Sequence, residues 1–291
     1  MKGSLFLRQP VFRFAPSPNG HLHLGHAYSA LLNEKMARES GGRFLLRIED
    51  IDPIRCRPEF ESAIYEDLAW LGLRWENPVR RQSDHFADFS AALQQLTAMG
   101  LIYPSFMSRS QIRKAVAAKG KLWPNDPSGG PHYPGDERDL DPAVTARRVA
   151  SGENHSLRLN MTKAVSVAGR ALTWIETASG KAERVACDPA AWGDIVLARK
   201  ETPTSYHLSV TVDDALQGIT HVVRGMDLYH STSIHRLLQT LLNLPEPLYH
   251  HHRLISGDNA PKLSKSAQSP SLRDMRREGV TPSQVKAKLG F

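Results

Sequence analysis

Residues His21 to Tyr28 read HLHLGHAY, three imidazoles and one glycine in eight positions, and three kinds of chemistry fit them. His21, His23 and His26 could converge on a metal ion, since neutral imidazole is a common ligand, although no acidic or cysteine ligand follows at a familiar short spacing. They could simply cap and solvate the start of a helix. Or His23 and His26, three apart and so on one face of a helical N-terminus, could handle phosphate. A helix start offers unpaired N–H groups and positive potential, and imidazole N–H donors can stabilise charge growing on a phosphoryl group. Gly25 between them removes a side chain and lets a nucleotide approach the backbone. Far downstream, Lys262 to Ser266 read KLSKS within a stretch rich in Gly, Pro and Ser. Two lysines three apart on such a loop suit a polyphosphate that must be gripped and released, although a basic run can equally be a solvated loop. Together the two motifs can clamp ATP from opposite sides while a carboxylate attacks its α-phosphate.

Motifs so far apart in sequence need a fold that brings them together. VFRF (11–14) reads as a short strand, and Pro16, Pro18, Asn19 and Gly20 then force a turn. The stretch from about His26 to Glu39 has helical spacing and good helix formers, and Gly41-Gly42 ends it. RFLLRIEDID (43–52) is a second strand with an acidic end. Strand, turn, helix, strand is a βαβ unit and predicts a doubly wound parallel sheet. Ligands in such sheets sit outside the carboxyl ends of the strands, where Pro16 to His26 and Glu49 to Asp52 both lie. Residues 58–74 and 84–100 read as amphipathic helices, and Lys119 to Pro142 as a loop or insertion. HSLRLNM, DIVLARK, TSYHLSVTVDD (204–214), GITHVVRG (218–225) and LYHHHRLI (248–255) read as strands, with a helix over 228–242. The expected organisation is an α/β domain whose first half covers 1–104 and whose second half covers 191–255. An inserted connective subdomain at 105–190 interrupts it, and the lysine loop and a short basic tail occupy 256–291.

Composition narrows the partners. A chain of 291 residues can bury a sizeable core, and 41% apolar with 23% charged residues is ordinary for a globular protein. The apolar runs are too short to span a bilayer, and Arg8 and Pro10 interrupt the one N-terminal stretch that resembles a signal peptide. Cys56 and Cys187 form no CxxC pair, which suits two free thiols in a reducing cytoplasm. A net charge of +7 favours polyanionic partners such as nucleic acid or phosphorylated substrates.

The joint pattern resembles the class I aminoacyl-tRNA synthetases, whose two signatures correspond to HLGH (23–26) and KLSKS (262–266). Within that class it resembles the glutamyl branch: RFAPSPNG (13–20), LLRIEDID (45–52), TSYHLSVTVDD and GITHVVRG match in the expected order over most of residues 11–270. The chain ends at Phe291, whereas full glutamyl-tRNA synthetases continue into an anticodon-binding domain. That length resembles the truncated paralogue family, the glutamyl-queuosine tRNA(Asp) synthetases. The resemblance implies a Rossmann-like fold, and activation of L-glutamate by ATP with Mg²⁺. It implies transfer of the glutamyl group to the queuosine base of tRNA(Asp), by a cytoplasmic enzyme that we expect to be a monomer.

Local chemistry and the resemblance then assign roles. Glutamate carries two carboxylates and an ammonium, so its pocket needs both signs of charge. Arg13 and Arg224 are the natural carboxylate partners, and Glu49 the ammonium partner. Tyr206 offers a hydroxyl from an expected strand position, and Ala15 and Ser17 line the pocket from the turn after the first strand. The family treats the whole run Arg13, Phe14, Ala15, Pro16, Ser17 as substrate-binding. Each role has a plainer alternative: Glu49 can pair with Arg47 or Arg55, and Arg224 can be a surface charge. His23, Gly25 and His26 would meet the nucleotide, with Lys262 and Lys265 on the leaving pyrophosphate, Lys265 foremost.

One departure stands out. Many family members carry a zinc ion held by a Cys-x-Cys pair, a Tyr and a further Cys. Here Ser105, Met107 and Glu137 stand where thiolates would, leaving Tyr133, and no structural zinc is expected. His132 and the run His250 to His252 are the remaining imidazoles of note, the latter better explained by a strand leading into the lysine loop. Three rival readings remain: a small enzyme charging a tRNA 3′ end, another HxGH nucleotidyltransferase, and an inactive RNA-binding paralogue. The basic tail (Arg273, Arg276, Arg277, Lys286, Lys288) fits either RNA contact or a solvated helix face.

Overall fold

The computed structural model describes residues 9–120, 122–199, 201–255 and 270–291. Lys262 and Lys265 lie outside the described residues. The chain runs β1 (Val11–Phe14), α1 (Leu24–Glu39), β2 (Arg43–Ile48), α2 (Pro58–Trp70), β3 (Glu76–Arg81), α3 (Phe86–Ala98) and β4 (Ile102–Ser105). It continues with α4 (Arg109–Lys119), α5 (Pro142–Ala150), β5 (Ser156–Leu159), α6 (Met161–Ala168), β6 (Thr173–Glu176), β7 (Glu183–Ala186) and β8 (Val196–Arg199). Then come α7 (Tyr206–Leu216), β9 (His221–Gly225), α8 (Thr232–Leu241), β10 (Leu248–His252), α9 (Leu272–Arg277) and α10 (Pro282–Leu289).

Seven of these strands form one sheet in the order β3-β2-β1-β9-β10-β6-β7. Every neighbouring pair is parallel except β6 and β7. The strand order reverses at β1, which sits between β2 and the much later β9, so the crevice above its carboxyl end is the expected ligand site. The βαβ start is thus as its pattern predicts. Its return turn depends on Gly42, where an added Cβ would stand 2.6 Å from the Pro10 carbonyl oxygen.

The remaining strands form an antiparallel sheet, β4-β5-β8. Residues 105–190 therefore contribute to both sheets: β5 to the small one, β6 and β7 to the edge of the large one. Between α4 and α5 the described residues form one isolated β-bridge, Asn125 with Pro131, and one short 3₁₀ turn, Glu137–Asp139.

TSYHLSVTVDD is not a strand. Residues from Tyr206 onward form α7, eleven residues long. Its β-branched Val210, Thr211 and Val212 cost only tenths of a kcal/mol each in a helix (~0.5 at most). Packing overrides them: Leu208 and Val212 are buried with α3 and α8, and the adjacent Asp213 and Asp214 both reach one arginine cluster, which a strand would split between two faces. The first helix also starts earlier than its spacing predicts, at Leu24, because His23 caps it.

One core cluster gathers Phe12, Phe14, Leu46, Ile48 and Val223 from the sheet with α1, α2 and both C-terminal helices. The basic tail is thus partly structural: Met275, Val285 and Leu289 are buried, and Arg276 pairs with Glu66 at 3.0 Å. No described helix is long and apolar enough to cross a membrane.

Candidate active site

Side chains alternate across a strand, and that alternation builds the floor of the crevice. With Phe12, Phe14, Leu46, Ile48 and Val223 packed in one core cluster, the intervening Arg13, Arg47 and Arg224 face the other way, towards α7 and α8. All are buried: Arg47 is 0% exposed, Arg13 4% and Arg224 5%. Three arginines on adjacent parallel strands would be untenable without counter-charges.

Two of them have those counter-charges. Arg13 donates from Nε to Asp214 Oδ1 at 2.9 Å and from Nη2 to Oδ2 at 3.3 Å. Arg47 donates to Asp214 Oδ1 at 2.8 Å, to Glu49 Oε1 at 3.0 Å and to Gln217 Oε1 at 3.0 Å. Arg80 closes the network on Asp213 at 2.7 Å. Burial alone would push the Asp214 carboxyl up, but Arg13 and Arg47 hold it below its usual range. Glu49 moves the other way, raised by burial despite Arg47 and Arg13. Its pairing with Arg47 uses Oε1 and leaves Oε2 without a described ion-pair partner.

Arg224 differs. Among the described residues it has no carboxylate partner; its acceptors are all neutral. Nε donates to His251 Nε2 at 3.1 Å and Nη1 to His235 Nδ1 at 3.0 Å. Nη2 donates to the Leu228 carbonyl at 3.2 Å and to Thr232 Oγ1 at 2.8 Å. A buried guanidinium held open by neutral acceptors is a ready receptor for a ligand carboxylate.

Above this floor stands the start of α1. The Gly25 backbone N–H donates to His23 Nδ1 at 3.1 Å, and the His23 N–H to His26 Nδ1 at 3.2 Å. The two histidines thus form a reciprocal cap for the helix. Because both Nδ1 atoms accept, a neutral ring carries its proton on Nε2, which makes each Nε2 an available donor. The rings lie 3.9 Å apart. Burial, and then the neighbouring His23, depress His26 to about 3, and burial lowers His23, so both stay neutral at physiological pH. Gly25 has a second reason to be glycine: a Cβ there would press on the His23 ring at 3.0 Å.

These groups line one cavity of about 450 Å³. It brings together every described residue to which the sequence assigns a glutamate or nucleotide role: Arg13, Phe14, Ala15, Pro16, Ser17, His23, Gly25, His26, Glu49, Tyr206 and Arg224. His21 lies outside it, edge-on to Phe60 at 5.0 Å. Tyr206 enters from the first turn of α7, not from a strand. It also lines a second cavity of about 400 Å³, together with Trp192, Thr204, Ser205 and His207. Sequence reasoning missed Asp214, His235, His251 and Glu176. The signal available for Asp214 was the recurrence of arginine inside VFRF, FLLRI and VVRG, which demands buried carboxylates somewhere.

At the positions where the sequence resemblance would place a zinc site, other contacts are made. Tyr133 donates to Glu137 Oε2 at 2.7 Å, the Phe106 N–H to Glu137 Oε1 at 3.3 Å, and Arg158 to Ser105 Oγ at 3.0 Å. The Arg158 guanidinium stacks 3.8 Å from the Tyr133 ring centroid. Among the described residues no group of three or more His, Cys, Asp or Glu side chains is placed to hold a metal ion.

A mainly parallel sheet with its crevice at a switch point, a histidine-capped helix start above it and a charged pocket beneath define a Rossmann-like α/β fold with a candidate ligand site. The family model described as "tRNA synthetases class I (E and Q), catalytic domain" matches residues 10–289, and the chain belongs to that family of ligases. It is 44% identical over 281 residues to the Glutamyl-Q tRNA(Asp) synthetase of Rhodobacter capsulatus, a match covering 97% of this chain and 100% of that protein. It is 35% identical over 274 residues to the glutamate–tRNA ligase of Aquifex aeolicus, covering 94% of this chain and 55% of that one. Among solved structures, a glutamate tRNA ligase from Elizabethkingia meningosepticum, in complex with its amino acid, superposes with a TM-score of 0.72 at 26% identity. The match covers 93% of this chain and 53% of that one, so the chain spans about half of that structure's length.

Proposed function

We propose that this chain activates L-glutamate with ATP to glutamyl-adenylate and transfers the glutamyl group to the queuosine base of tRNA(Asp). The observation that carries the reading is the Arg224 guanidinium, buried at the floor of the cavity with only neutral partners among the described residues, beneath the paired His23 and His26 donors.

In this reading Arg224 binds one glutamate carboxylate. Arg13, already paired with Asp214, adds positive potential more than a free hydrogen-bonding fork. Glu49 takes the ammonium on its uncommitted oxygen, and Tyr206 and the Phe14-to-Ser17 turn enclose the side chain. ATP enters as its magnesium complex, as a substrate. A glutamate carboxylate oxygen attacks the α-phosphorus in line, the new P–O bond forms, and the bond to the bridging oxygen of pyrophosphate breaks. No enzyme nucleophile is needed; positioning and charge stabilisation suffice. His23 and His26 donate to the α-phosphate, Gly25 gives the nucleotide access to the backbone, and Lys262 and Lys265 neutralise the departing pyrophosphate. An acceptor hydroxyl then attacks the activated carbonyl carbon and AMP leaves. The second cavity, sharing Tyr206 with the first, gives the acceptor room. The chain acts on tRNA(Asp) as a monomer.

The queuosine acceptor is supported by the full-length match to the Rhodobacter protein. The match to the Aquifex ligase supports a second reading, esterification of a tRNA 3′ end. Glutamate-dependent ATP–pyrophosphate exchange tests activation. Labelled glutamate offered to tRNA(Asp) with and without queuosine, followed by mapping of the ester, tests the acceptor. Label on the anticodon stem-loop only when queuosine is present supports the first reading; label on the 3′ end overturns it.

A further inference from the structure

Arg224, His251 and Glu176 sit on three adjacent parallel strands. Across β9 and β10, Arg224 and His251 are register partners, and β6 joins β10 through the pair Glu176 and Tyr249. The sheet therefore lays Arg224 beside His251, with Glu176 two residues back on the next strand. His251 Nδ1 lies 2.5 Å from Glu176 Oε2. Glu176 Oε1 accepts from the backbone N–H groups of His251 at 3.0 Å, Thr177 at 3.2 Å and Ala178 at 3.2 Å. Trp174 Nε1 adds a bond to Oε2 at 3.3 Å.

This donor set dictates proton positions. Burial opposes ionisation of Glu176, yet His251 and these N–H donors bring its carboxyl down to about 2. An ionised carboxylate accepts only, so Nδ1 of His251 must carry the proton. In the neutral ring Nε2 is then bare, and it is the atom that receives Arg224 Nε–H. The opposite tautomer, or an imidazolium, would set N–H against N–H. Burial first, with Arg224 contributing, keeps the His251 ring below its usual range despite Glu176.

We infer that Glu176 and His251 are positioning residues for Arg224: the carboxylate selects the imidazole tautomer, and the imidazole aims the guanidinium at the substrate carboxylate. The inference rests on Arg224 being the carboxylate site. Neither residue touches substrate in this arrangement. Glu176 belongs to the stretch 105–190, which thereby reaches Arg224 through His251.

Glu176→Gln keeps the shape and removes the charge that selects the tautomer. The expected result is a rise of about tenfold in the KM for glutamate in pyrophosphate exchange, with kcat and the KM for ATP held within about twofold. A purely structural role would move both KM values together or lower the melting temperature alone. Nitrogen-15 imidazole spectra read the tautomer directly: wild type should show His251 as the neutral Nδ1–H form at about pH 7.5, and Glu176→Gln a mixture. An unmoved glutamate KM in a folded Glu176→Gln overturns the inference. So does an Nε2–H or protonated His251 in wild type, a readout that stands even if the variant does not fold. Absence of glutamate-dependent exchange in wild type would instead sink the proposed activity, and the spectrum would still decide the tautomer.

Discussion

Arg13 and Asp214 are 201 residues apart in sequence and form a two-point ion pair, Nε to Oδ1 at 2.9 Å and Nη2 to Oδ2 at 3.3 Å, with Arg47 sharing the same carboxylate. This pair fastens α7 to β1, and with it Tyr206 to the crevice. Asp214→Asn would leave the buried Arg13 without its described counter-charge and Arg47 with Glu49 and Asp213 alone. Breaking a buried pair from one side costs about 3–5 kcal/mol. Denaturant unfolding of Asp214→Asn should show a loss of that size; a loss under about 1 kcal/mol would mean the pair is not the fastening we describe.

His26 both caps α1 and offers Nε2–H to the cavity, and one substitution separates the two duties. Asn at this position can still accept from the His23 backbone N–H through its side-chain oxygen, but it has no donor where Nε2 stands. His26→Asn should melt within a few degrees of wild type and lose ~10²–10³-fold in pyrophosphate exchange. A variant that melts normally and exchanges at the wild-type rate would remove His26 from phosphate handling.

How far the sequence alone reaches can be judged at particular residues. β1, α1 and β2 were legible because period 2, a Pro/Gly turn and period 3.6 follow one another without conflict. The crevice was legible for the same reason, since its lining comes from the ends of those elements. α7 was misread because its Val-Thr-Val run favours strands locally, while long-range pairing of Asp213 and Asp214 decides the matter. The partnership of Glu176 with His251 was invisible: only the order β9-β10-β6 makes them neighbours, and no local pattern encodes a sheet order. The roles of Lys262 and Lys265 fall outside the described residues and rest on the motif.

Several imidazoles are buried in neutral form. Burial, then His23, lowers His26 to about 3; burial, then Arg224, lowers His207 to about 4. In the unfolded chain these rings take up protons near pH ~6.5, while the folded protein refuses them. Stability is therefore fully present above ~6.5 and is lost as pH falls from there towards 4 and then 3. Melting temperature should decline steadily from about pH 7 to pH 5, and His207→Phe should flatten part of that decline. A flat profile for wild type across this window would show that the rings are protonated in the native state.

Asp67 supplies a test with the opposite sign. Its side chain is fully buried, neither carboxylate oxygen has a hydrogen-bond partner among the described residues, and the Arg276 guanidinium stands at 3.6 Å. Burial pushes its pKa up to about 6, only partly offset by Arg276. In the unfolded chain the group titrates near ~3.9, so between these values the folded state holds the proton and the unfolded state does not. This group therefore adds stability below ~3.9, and that contribution is lost as pH rises through about 6. Asp67→Asn mimics the protonated form at every pH. It should raise the melting temperature by ~2–4 °C at pH 7.5, by about half of that at pH 5 and not at all below ~3.9. The two effects can be separated because the difference between variant and wild type cancels the histidines. A gain that is the same at both pH values would show that the buried charge is not its source, and that the pairing of α9 with α2 tolerates an ionised Asp67.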